Sequence, residues 1–556
     1  MGMRVLIVGG VAGGMSAATR LRRLDESAEI VVLERGPFVS FANCGLPYYI
    51  GGEIADREKL LVQSPERLRA AFNLDVRPLA EVAAIHKDKR EVEVRNVSTG
   101  EMTVERYDHL LLSTGATAVV PRIPGVDRPG HFFLRTIPDM DRIDTWIRER
   151  HAKTAVVLGG GFIGLEAAEQ LHRRGLSVTL VEKNPQVLGP LDPDMAALVQ
   201  AEIRKNGVVL HLSNGAVEFQ PPDETAAASV VQLTNGELIP ADIVIIGIGV
   251  KPEVSLAKSA GLKLGATGGI AVDAHLRTSD PHIWAVGDAI EVAHFVTGKP
   301  SLIALAGPAN RQGRIVADNI AGRSSEYKAT MGTAIVRVFD LTAGCTGANE
   351  KLLKAANAKY QVVHLHPNSH AGYYPGAKPI AMKMLFDPES GSILGAQAVG
   401  ADGVDKRIDV IATAMMGGLA VDELAQLELC YAPPFGSAKD PVNLAGMAAE
   451  NVVHGDVELV QWHEVAGLVT TGAMVLDVRE PNERESGAIP GSINIPLGEL
   501  RGRLGELPKG TLILAHCASG QRSYNACRVL TQNGYQCRNL TGSFKTWKAV
   551  QDIILK

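Results

Sequence analysis

Residues 3–24 have the sequence MRVLIVGGVAGGMSAATRLRRL, and residues 154–175 have the sequence TAVVLGGGFIGLEAAEQLHRRG. Each stretch begins with an apolar run typical of a buried strand, passes through a glycine-rich turn and continues with helical spacing of apolar residues. Further apolar runs at Ile30–Leu33 and Ser177–Val181 complete two βαβ units. Short loops between alternating β and α signals predict α/β domains with parallel, doubly wound sheets.

The second turn, GGGFIG at 159–164, matches the pattern GxGxxG between a strand and a helix. In this pattern Gly159 permits the tight turn, Gly161 lets a pyrophosphate approach the backbone, and Gly164 lets the helix pack closely on the strand. Glu182 follows Gly164 by 18 residues at a strand end, where it can accept hydrogen bonds from a ribose diol. A purely structural glycine turn is the alternative.

The first turn, GGVAGG at 9–14, departs from the pattern because Val11 stands where the middle glycine belongs. Glu34 lies 20 residues after Gly14, again at a strand end. A surface acid after a core strand is common, but its combination with the turn favours a second ribose ligand. LLLSTGA at 110–116 and IWAVGDA at 283–289 are strands that run into small-residue turns. Asp288 can hold a polyol there, or the string can be a simple β-turn.

The remaining chain predicts two further domains. Apolar runs at Thr333–Phe339, Tyr360–Leu365, Ile380–Phe386 and Ile393–Val399 predict strands, and Asp402–Met416 predicts a helix, which indicates an α+β domain. The predicted boundaries are two parts of one nucleotide-binding domain at 1–150 and 271–329, a second at 151–270, the α+β domain at 330–445, a linker at 446–457 and a compact α/β domain at 458–556.

Composition excludes several classes of protein. The chain has 556 residues, of which 46% are hydrophobic, and a formal net charge of −5, so no basic field indicates nucleic acid. Six scattered cysteines without a CxxC pair argue against a zinc site, a thioredoxin-like site and a disulfide framework, and we expect no metal site. The N-terminus lacks signal-peptide features and Ile243–Val250 is too short to span a membrane, so we expect a cytoplasmic protein with no membrane partner.

The order of GGVAGG, STGA, GGGFIG and AVGDA resembles the disulfide reductase flavoproteins that bind two dinucleotides. The resemblance covers about residues 3–445. It implies FAD in the first site, NADH or NADPH in the second, and a homodimer formed through residues 330–445. The cofactor-binding residues it implies are Gly9, Val11, Ala12, Gly13, Gly14, Glu34, Arg35, Ser113, Thr114, Gly115 and Asp288 for FAD, and Gly159, Gly161, Phe162, Ile163, Gly164 and Glu182 for the nicotinamide nucleotide.

Cys44 is the candidate redox residue. Many relatives in this superfamily use a CxxxxC pair, but here Tyr49 occupies the second position. A lone thiol beside a flavin must cycle with an external sulfur, as a mixed disulfide or persulfide, or with oxygen, as a sulfenic acid. The alternative is a small buried hydrophobic residue, although the surrounding Gly, Asn and Pro residues are untypical of a core strand.

The string SFANCGLPYYIGG at 40–52 resembles coenzyme A-disulfide reductases and their persulfide-reducing relatives. The resemblance implies that Asn43 orients the sulfur and that Ser40 lines the substrate site. It also implies that Tyr373 and Tyr431 approach the sulfur from the partner subunit. Arg20 and Arg23 are candidates for binding coenzyme A phosphates, or they form a solvated helix face.

Cys517 is the second candidate. It follows an apolar strand and opens the loop CASGQR at 517–522 before a helix. Backbone NH groups and the positive end of the helix stabilise a thiolate or persulfide there, and Arg522 adds charge. Residues 458–556 resemble a rhodanese domain, which implies that Cys517 carries sulfane sulfur. The CxxxxxR spacing of tyrosine phosphatases is a rival, but Arg522 falls one residue early. Cys527 is interpreted as packing, while Cys345, Cys430 and Cys537 are unassigned.

These motifs together predict an oxidoreductase that uses NAD(P)H and FAD to reduce sulfur–sulfur bonds through Cys44. The substrate would be a coenzyme A persulfide, polysulfide or disulfide, and Cys517 would deliver or receive sulfane sulfur. The presence of a reductase and a sulfur carrier in one chain favours a persulfide as the substrate, because disulfide reduction leaves a sulfur carrier without a role. Two alternatives stay open: an NADH oxidase that works through a Cys44 sulfenic acid, and a sulfur carrier whose reductase half only regulates its redox state.

Overall fold

The computed structural model describes residues 2–222 and 228–551. The chain divides into two compact units. The first contains the chain up to Val187 and Val208–Gly332, and the second contains Leu188–Gly207 and the chain from Thr333 onward. Among the helices described, none combines the length and the apolar character needed to cross a bilayer.

The first unit opens with a parallel sheet whose central strand is the apolar run after the N-terminus. Its sheet order is β18-β7-β1-β2-β3, in which β18 is Ile283–Ala285 from later in the chain, and an antiparallel sheet β4-β5-β6 is inserted before β7. The elements up to residue 150 are β1 (Arg4–Val8), α1 (Ala12–Leu24), β2 (Glu29–Glu34), α2 (Leu46–Ile50), α3 (Pro65–Phe72), β3 (Asp75–Pro78), β4 (Ala80–His86), β5 (Glu91–Asn96), β6 (Met102–Arg106), β7 (His109–Leu112), β8 (Ala116–Ala118), β9 (His131–Phe132) and α4 (Ile137–Arg150).

A second parallel sheet repeats this plan in the order β12-β11-β10-β16-β9, with an antiparallel insertion β13-β14-β15. The chain then returns to the first sheet through β18. The elements are β10 (Thr154–Leu158), α5 (Phe162–Arg173), β11 (Ser177–Val181), α6 (Pro193–Lys205), β12 (Val209–His211), β13 (Ala216–Gln220), β14 (Ser229–Leu233), β15 (Leu238–Ala241), β16 (Ile243–Ile246), β17 (Val250–Pro252), α7 (Ser255–Ser259), β18 (Ile283–Ala285), β19 (Val292–Ala293), β20 (Pro300–Ser301) and α8 (Ala306–Ile320).

The second unit contains an antiparallel sheet in the order β21-β22-β25-β24-β23. Its interior strand β22 has the sequence LTAGCTG, whose small residues have low β-propensity, and the sequence analysis missed it. The elements are β21 (Ala334–Val338), β22 (Leu341–Gly347), α9 (Glu350–Ala356), β23 (Gln361–Leu365), β24 (Ile380–Phe386), β25 (Ile393–Gly400), α10 (Val404–Gly417), α11 (Val421–Gln426) and α12 (Pro441–Val453).

The C-terminal region forms a parallel sheet in the order β26-β30-β29-β27-β28. This sheet and the two doubly wound sheets of the first unit confirm the predicted fold class. The elements are β26 (Glu458–Val460), α13 (Val465–Thr470), β27 (Met474–Asp477), β28 (Ile493–Asn494), α14 (Leu497–Leu500), β29 (Ile513–His516), α15 (Gln521–Gln532), β30 (Cys537–Leu540) and α16 (Ser543–Ala549).

Most of the predicted linker at 446–457 is helical, because α12 continues to Val453. Asp440 caps this helix through its side chain and a proline follows it at the first position. Gly446 is a packing residue, since a Cβ there would lie 2.5 Å from the backbone nitrogen of Ala425 on the neighbouring helix α11. Close helix packing, and not flexibility, explains this glycine.

A buried charge cluster holds α6 in the second unit. The ammonium of Lys383, which is fully buried on β24, lies 2.9 Å from Asp194, 3.1 Å from Asp192 and 2.7 Å from Glu350. The three carboxylates are close enough together to hold a metal ion, but here they surround an ammonium. Leu188–Gly207 therefore groups with the C-terminal half of the chain, outside the 151–270 domain predicted to contain it.

The C-terminal α/β region contacts the antiparallel sheet at its edge strand β23. The backbone NH of His364 donates to Thr541 Oγ1 at 2.7 Å, and His366 Nε2 lies 2.9 Å from Thr546 Oγ1. Gln461 Nε2 donates to the carbonyl of Val362 at 3.1 Å. These hydrogen bonds fix the position of the C-terminal region against the sheet.

Candidate active site

The carboxyl ends of four neighbouring strands bring the first group of predicted residues to one edge of the first sheet. Gly9 follows β1, Glu34 ends β2, Ser113 follows β7 and Asp288 follows β18. Ligands bind at this edge in open α/β sheets, where the strand order reverses. Gly9 has a φ of +104°, and a Cβ there would lie 2.1 Å from the carbonyl oxygen of Ser113.

The remaining first-site residues also fit a dinucleotide. A Cβ on Gly14 would lie 2.0 Å from the carbonyl oxygen of Gly9, so glycine is required for α1 to approach β1. The carboxylate of Glu34 accepts hydrogen bonds from the backbone NH groups of Gly10 at 2.8 Å and Gly36 at 2.7 Å. Val11 is the residue just before α1. The other predicted residues of this edge are Ala12 and Gly13 in α1, the exposed Arg35, and the half-buried Thr114 and Gly115.

The second glycine turn has the same construction on the second sheet. Gly159 has a φ of +101°, and a Cβ on Gly164 would lie 1.9 Å from the carbonyl oxygen of Gly159. A Cβ on Gly161, by contrast, would meet no atom within 4 Å among the described residues, so the backbone there is open to a phosphate. Phe162 and Ile163 begin α5 behind it.

The segment that carries Cys44 is tied to the first glycine turn. Ser40 has a φ of +47°, which is unusual for a residue other than glycine. Its backbone NH donates to the carbonyl of Gly10 at 2.7 Å, and its own carbonyl accepts from Val62 at 3.0 Å. Asn43–Gly45 then form one 3₁₀ turn that leads directly into α2. Cys44 is exposed, and its Sγ lies 3.6 Å from Asn43 Oδ1.

The electrostatics of Cys44 link it to both nucleotide sites. Partial burial raises the pKa of the Cys44 thiol, and the carboxylates of Glu166 and Asp288 raise it further. Asp288 follows a strand of the first sheet, whereas Glu166 is on α5, the helix that begins at the second glycine turn. Tyr48 on α2 donates to Glu166 Oε1 at 2.9 Å. The thiol therefore lies within the electrostatic reach of residues from both sites.

Tyr373 and Tyr431, which the family resemblance implies for the substrate site, lie next to each other in the structure. Their hydroxyl oxygens are 2.9 Å apart, although 58 residues separate them in the chain. Both side chains are exposed, Tyr373 by 76% and Tyr431 by 48%. Phe435, four positions after Tyr431 in the chain, is 71% exposed. Large aromatic side chains grouped on a surface are typical of protein interfaces.

Arg20 and Arg23, the candidates for binding coenzyme A phosphates, differ in their exposure to solvent. The guanidinium of Arg20 is held by Asp318 at 2.8 Å, with both side chains largely buried. Arg23 is exposed to solvent. Arg22 between them is buried and donates to backbone carbonyls, including those of Phe72 and Glu26. Arg23 is thus the exposed cation of the three.

Cys517 lies at the base of a loop whose donors point at its sulfur. The backbone NH of Gly520 donates to Cys517 Sγ at 3.1 Å, and the hydroxyl of Ser523 lies 3.6 Å from it. Burial alone would raise the pKa of Cys517, but hydrogen bonds from Ser523, Gly520 and Ser519 outweigh burial and lower it. This environment stabilises an anionic sulfur. Arg522 is held by Glu483 at 2.6 and 2.7 Å.

Three family models match the chain. The model for pyridine nucleotide-disulphide oxidoreductases matches residues 3–313, and the model for the dimerisation domain of the same family matches 333–441. The chain belongs to the pyridine nucleotide-disulphide oxidoreductase family. A rhodanese-like domain model matches residues 461–550. The resemblances inferred from the motifs are thereby confirmed.

The family includes proteins of similar architecture. A coenzyme A disulfide reductase of Staphylococcus epidermidis is 36% identical over 448 residues, which cover 80% of this chain and all of the relative. The structure of reduced CoADR-RHD from Bacillus anthracis is 52% identical, with a TM-score of 0.97 over 100% of this chain and 99% of the other. An NAD-dependent persulfide reductase from A. fulgidus is 37% identical, with a TM-score of 0.91 over 98% and 100%.

Sequence reasoning missed several residues of this oxidoreductase site. Glu166, Tyr48 and Arg135 have no local motif, and only the packing of α2 on α5 and the 3.6 Å ion pair between Arg135 and Asp288 reveal them. In the rhodanese-like region, the buried carboxylate of Asp477 binds Arg479 at 2.7 Å. Both side chains are buried, which no local sequence pattern reveals.

We expect the purified oxidoreductase to be yellow and to contain one FAD per chain. Gly14→Val should remove most of the flavin, because the new side chain would collide with the backbone of Gly9. Gly467→Ala is the matched control, since a Cβ there meets no atom within 4 Å among the described residues. Flavin absorbance per mole of chain measures the FAD content of the wild-type protein and of the two variants. A folded wild-type protein that cannot be reconstituted with FAD would contradict the assignment of the first site.

NADH should be preferred over NADPH by about tenfold or more in kcat/KM, because the buried carboxylate of Glu182 repels a 2′-phosphate. Its oxygens accept from the backbone NH groups of Gly160 at 2.6 Å and Asn184 at 2.7 Å, which fix the charge at the end of β11. Glu182→Gln should narrow the preference. Lys183→Ala is the control for the neighbouring exposed cation. A higher kcat/KM for NADPH would show that the role of Glu182 is wrong.

Proposed function

We propose that the chain is an FAD-dependent NAD(P)H reductase of sulfur–sulfur bonds in coenzyme A derivatives, with coenzyme A persulfide, polysulfide and disulfide as substrates. The observation that carries this proposal is the single thiol of Cys44, exposed beside the first glycine turn, with Tyr49 at the position of a second cysteine. Without a second thiol in the motif, the sulfur that pairs with Cys44 must come from the substrate.

Four residues have proposed roles in binding or cleaving the substrate. The Cys44 thiolate attacks the coenzyme A-linked sulfur–sulfur bond, forms a mixed disulfide or persulfide and expels the other sulfur as a thiol or hydrosulfide. Asn43 orients the reacting sulfur, Ser40 lines the substrate site, and Arg23 is the exposed candidate for a phosphate. Bound FAD and NAD(P)H supply the two electrons that return Cys44 to the thiol. The sum consumes one NADH and one proton for each sulfur–sulfur bond cleaved.

Partial desolvation and the carboxylates of Glu166 and Asp288 raise the pKa of the Cys44 thiol, so the thiolate fraction at neutral pH is small in the protein alone. A group with a raised pKa gains its anionic form only as pH rises, so the attack of Cys44 on a disulfide should accelerate with pH through the ordinary thiol range and above it.

The rhodanese-like region favours persulfide among these substrates. Its loop stabilises an anionic sulfur at Cys517, and a disulfide reductase has no use for a sulfane-sulfur carrier. Supporting this, one similar structure is of a persulfide reductase and it covers the same region. We propose that Cys517 accepts sulfane sulfur from donors and passes it to coenzyme A thiol, which then carries it to Cys44.

We expect the active form to be a homodimer with two-fold symmetry. The exposed pair Tyr373 and Tyr431 is proposed to complete the site of the partner subunit, and residues 333–441 match a dimerisation domain. Size-exclusion chromatography with light scattering at assay concentration should give twice the mass of the chain. Full activity from a demonstrable monomer would contradict the cross-subunit role of the tyrosines.

Steady-state oxidation of NADH with different acceptors tests the function. Coenzyme A persulfide, coenzyme A disulfide, inorganic polysulfide and oxygen should be compared under otherwise identical conditions. The proposal expects kcat/KM for the coenzyme A persulfide to be highest and oxygen to be reduced only slowly. Rapid oxygen reduction that coenzyme A derivatives do not accelerate would instead indicate an NADH oxidase.

A further inference from the structure

Two thiols with no role in the proposed function lie side by side in the core of the rhodanese-like region. Cys527 is in the middle of α15 and Cys537 is the first residue of β30. Their sulfur atoms are 3.0 Å apart. The side chains are 1% and 5% exposed, respectively, within the same hydrophobic cluster as Cys517.

The short distance between the Cys527 and Cys537 sulfurs distinguishes this pair from cysteines that are buried singly. Cysteines are often buried singly as small hydrophobic residues, and Cys345 in the antiparallel sheet is an example. Here two cysteines from different elements point their sulfurs at each other, about 1 Å beyond the bond length of a disulfide. Small side-chain rotations would therefore bring them to bonding distance. Burial raises the pKa of Cys527 well above the ordinary range, as does its Cys537 neighbour, so the Cys527 thiol stays protonated until the core opens locally.

We propose that Cys527 and Cys537 are a redox modification site, a dithiol that small sulfane-sulfur oxidants convert reversibly into a disulfide linking α15 to β30. The inference goes beyond the proposed function and does not use Cys44 or Cys517. Its oxidant is an inorganic polysulfide, the smallest being hydrogen disulfide. An unbranched molecule of this size needs only a local opening of the core to reach the pair.

The chemistry balances without another reactant. One thiolate attacks hydrogen disulfide, gains a sulfur atom as a persulfide and releases hydrosulfide. The second thiolate then attacks the protein-bound inner sulfur, forms the disulfide and expels the terminal sulfur as a second hydrosulfide. Two thiols are oxidised, two sulfur atoms of the oxidant are reduced, and the thiol protons leave with the hydrosulfides. A low-molecular-weight thiol reverses the change.

The disulfide would act on the carrier loop through α15. This helix begins at Gln521, and its first turn contains Arg522 and Ser523. The Ser523 hydroxyl lies 3.6 Å from Cys517 Sγ, and the backbone NH of Cys517 donates to Ser543 Oγ at 3.2 Å. A covalent link from the same helix to β30 would restrict movement of this loop under oxidising sulfur stress.

The test uses the full-length protein treated anaerobically with sodium polysulfide, freed of reagent, denatured, alkylated and digested. The expected result is a peptide pair joined through Cys527 and Cys537 that separates after thiol reduction, while buried Cys345 is alkylated as a free thiol. The link should also form in Cys517→Ser, which separates this inference from the carrier proposal. Cys537→Ala should leave Cys527 alkylated.

Wild-type protein alone keeps the test decisive if a variant fails to fold. Thermal unfolding of the treated wild-type protein should occur at a higher temperature, and thiol reduction should reverse the shift. Recovery of both cysteines as alkylated thiols, in samples where exposed Cys430 has been modified by the same reagent, would overturn the inference. So would a linkage that joins either of them to Cys517 instead.

Discussion

Replacing Cys44 with serine is expected to abolish NADH-dependent reduction of every sulfur substrate, with a loss of at least roughly 10³-fold in kcat. A serine hydroxyl cannot form the mixed disulfide or persulfide on which turnover depends. Tyr49 occupies the second position of the CxxxxC spacing, so the motif holds no thiol to replace the first. Initial rates with coenzyme A disulfide and coenzyme A persulfide measure the loss.

A matched control separates loss of the thiol from loss of the fold. Cys345→Ala removes another cysteine from the antiparallel sheet and should keep the wild-type rates, because nothing in the proposed mechanism involves β22. Flavin content and thermal stability should be unchanged in Cys44→Ser, since the side chain is exposed. Normal turnover by Cys44→Ser would remove this residue from the mechanism.

Replacing Cys517 with serine is expected to affect turnover of some substrates strongly and of others hardly at all. Reduction of soluble coenzyme A disulfide and persulfide should stay within about twofold of wild type, because these molecules do not need the carrier. Turnover that starts from thiosulfate or from elemental sulfur with coenzyme A should fall by about 10²-fold or more, because serine cannot hold sulfane sulfur. The donors around Cys517 Sγ, chiefly the Gly520 NH at 3.1 Å, give this thiol its proposed role.

Two other results with Cys517→Ser would change the role assigned to Cys517. The rhodanese-like region is fixed against β23 by hydrogen bonds such as that from the His364 NH to Thr541. If Cys517→Ser is as inactive as Cys44→Ser on coenzyme A persulfide, the two cysteines work as an obligatory relay. If Cys517→Ser is normal with every donor, the sulfur-carrier role is wrong.

Local sequence signals predicted the nucleotide-binding parts of the fold well. At Gly9 and Gly159 the backbone conformation itself demands glycine, and the adjoining strands are continuous apolar runs, so short stretches of chain contain most of the information. The pair Tyr373 and Tyr431 came from a family resemblance, and no local pattern would have joined two residues 58 positions apart.

Long-range packing explains what the sequence did not predict. Lys383 and its three carboxylates come from α6, α9 and β24 and from the turn before α6, and their ion pairs exist only after these elements assemble. Gly446 suggested a linker, because a glycine that permits close helix contact cannot be distinguished in sequence from one that permits flexibility. Glu166 was missed for the same reason as the ion pairs: α5 has to pack on α2 before its charge affects Cys44.

The most direct test of the central claim is to locate the sulfur adduct on the protein. Full-length protein with free thiols and oxidised flavin should be mixed anaerobically with one equivalent of coenzyme A disulfide per chain in the absence of NADH, quenched with acid and analysed by peptide mass spectrometry. The account predicts coenzyme A in disulfide linkage to Cys44, lost when NADH is added before the quench. An adduct on another cysteine, or none while NADH still drives reduction of the disulfide, would contradict it.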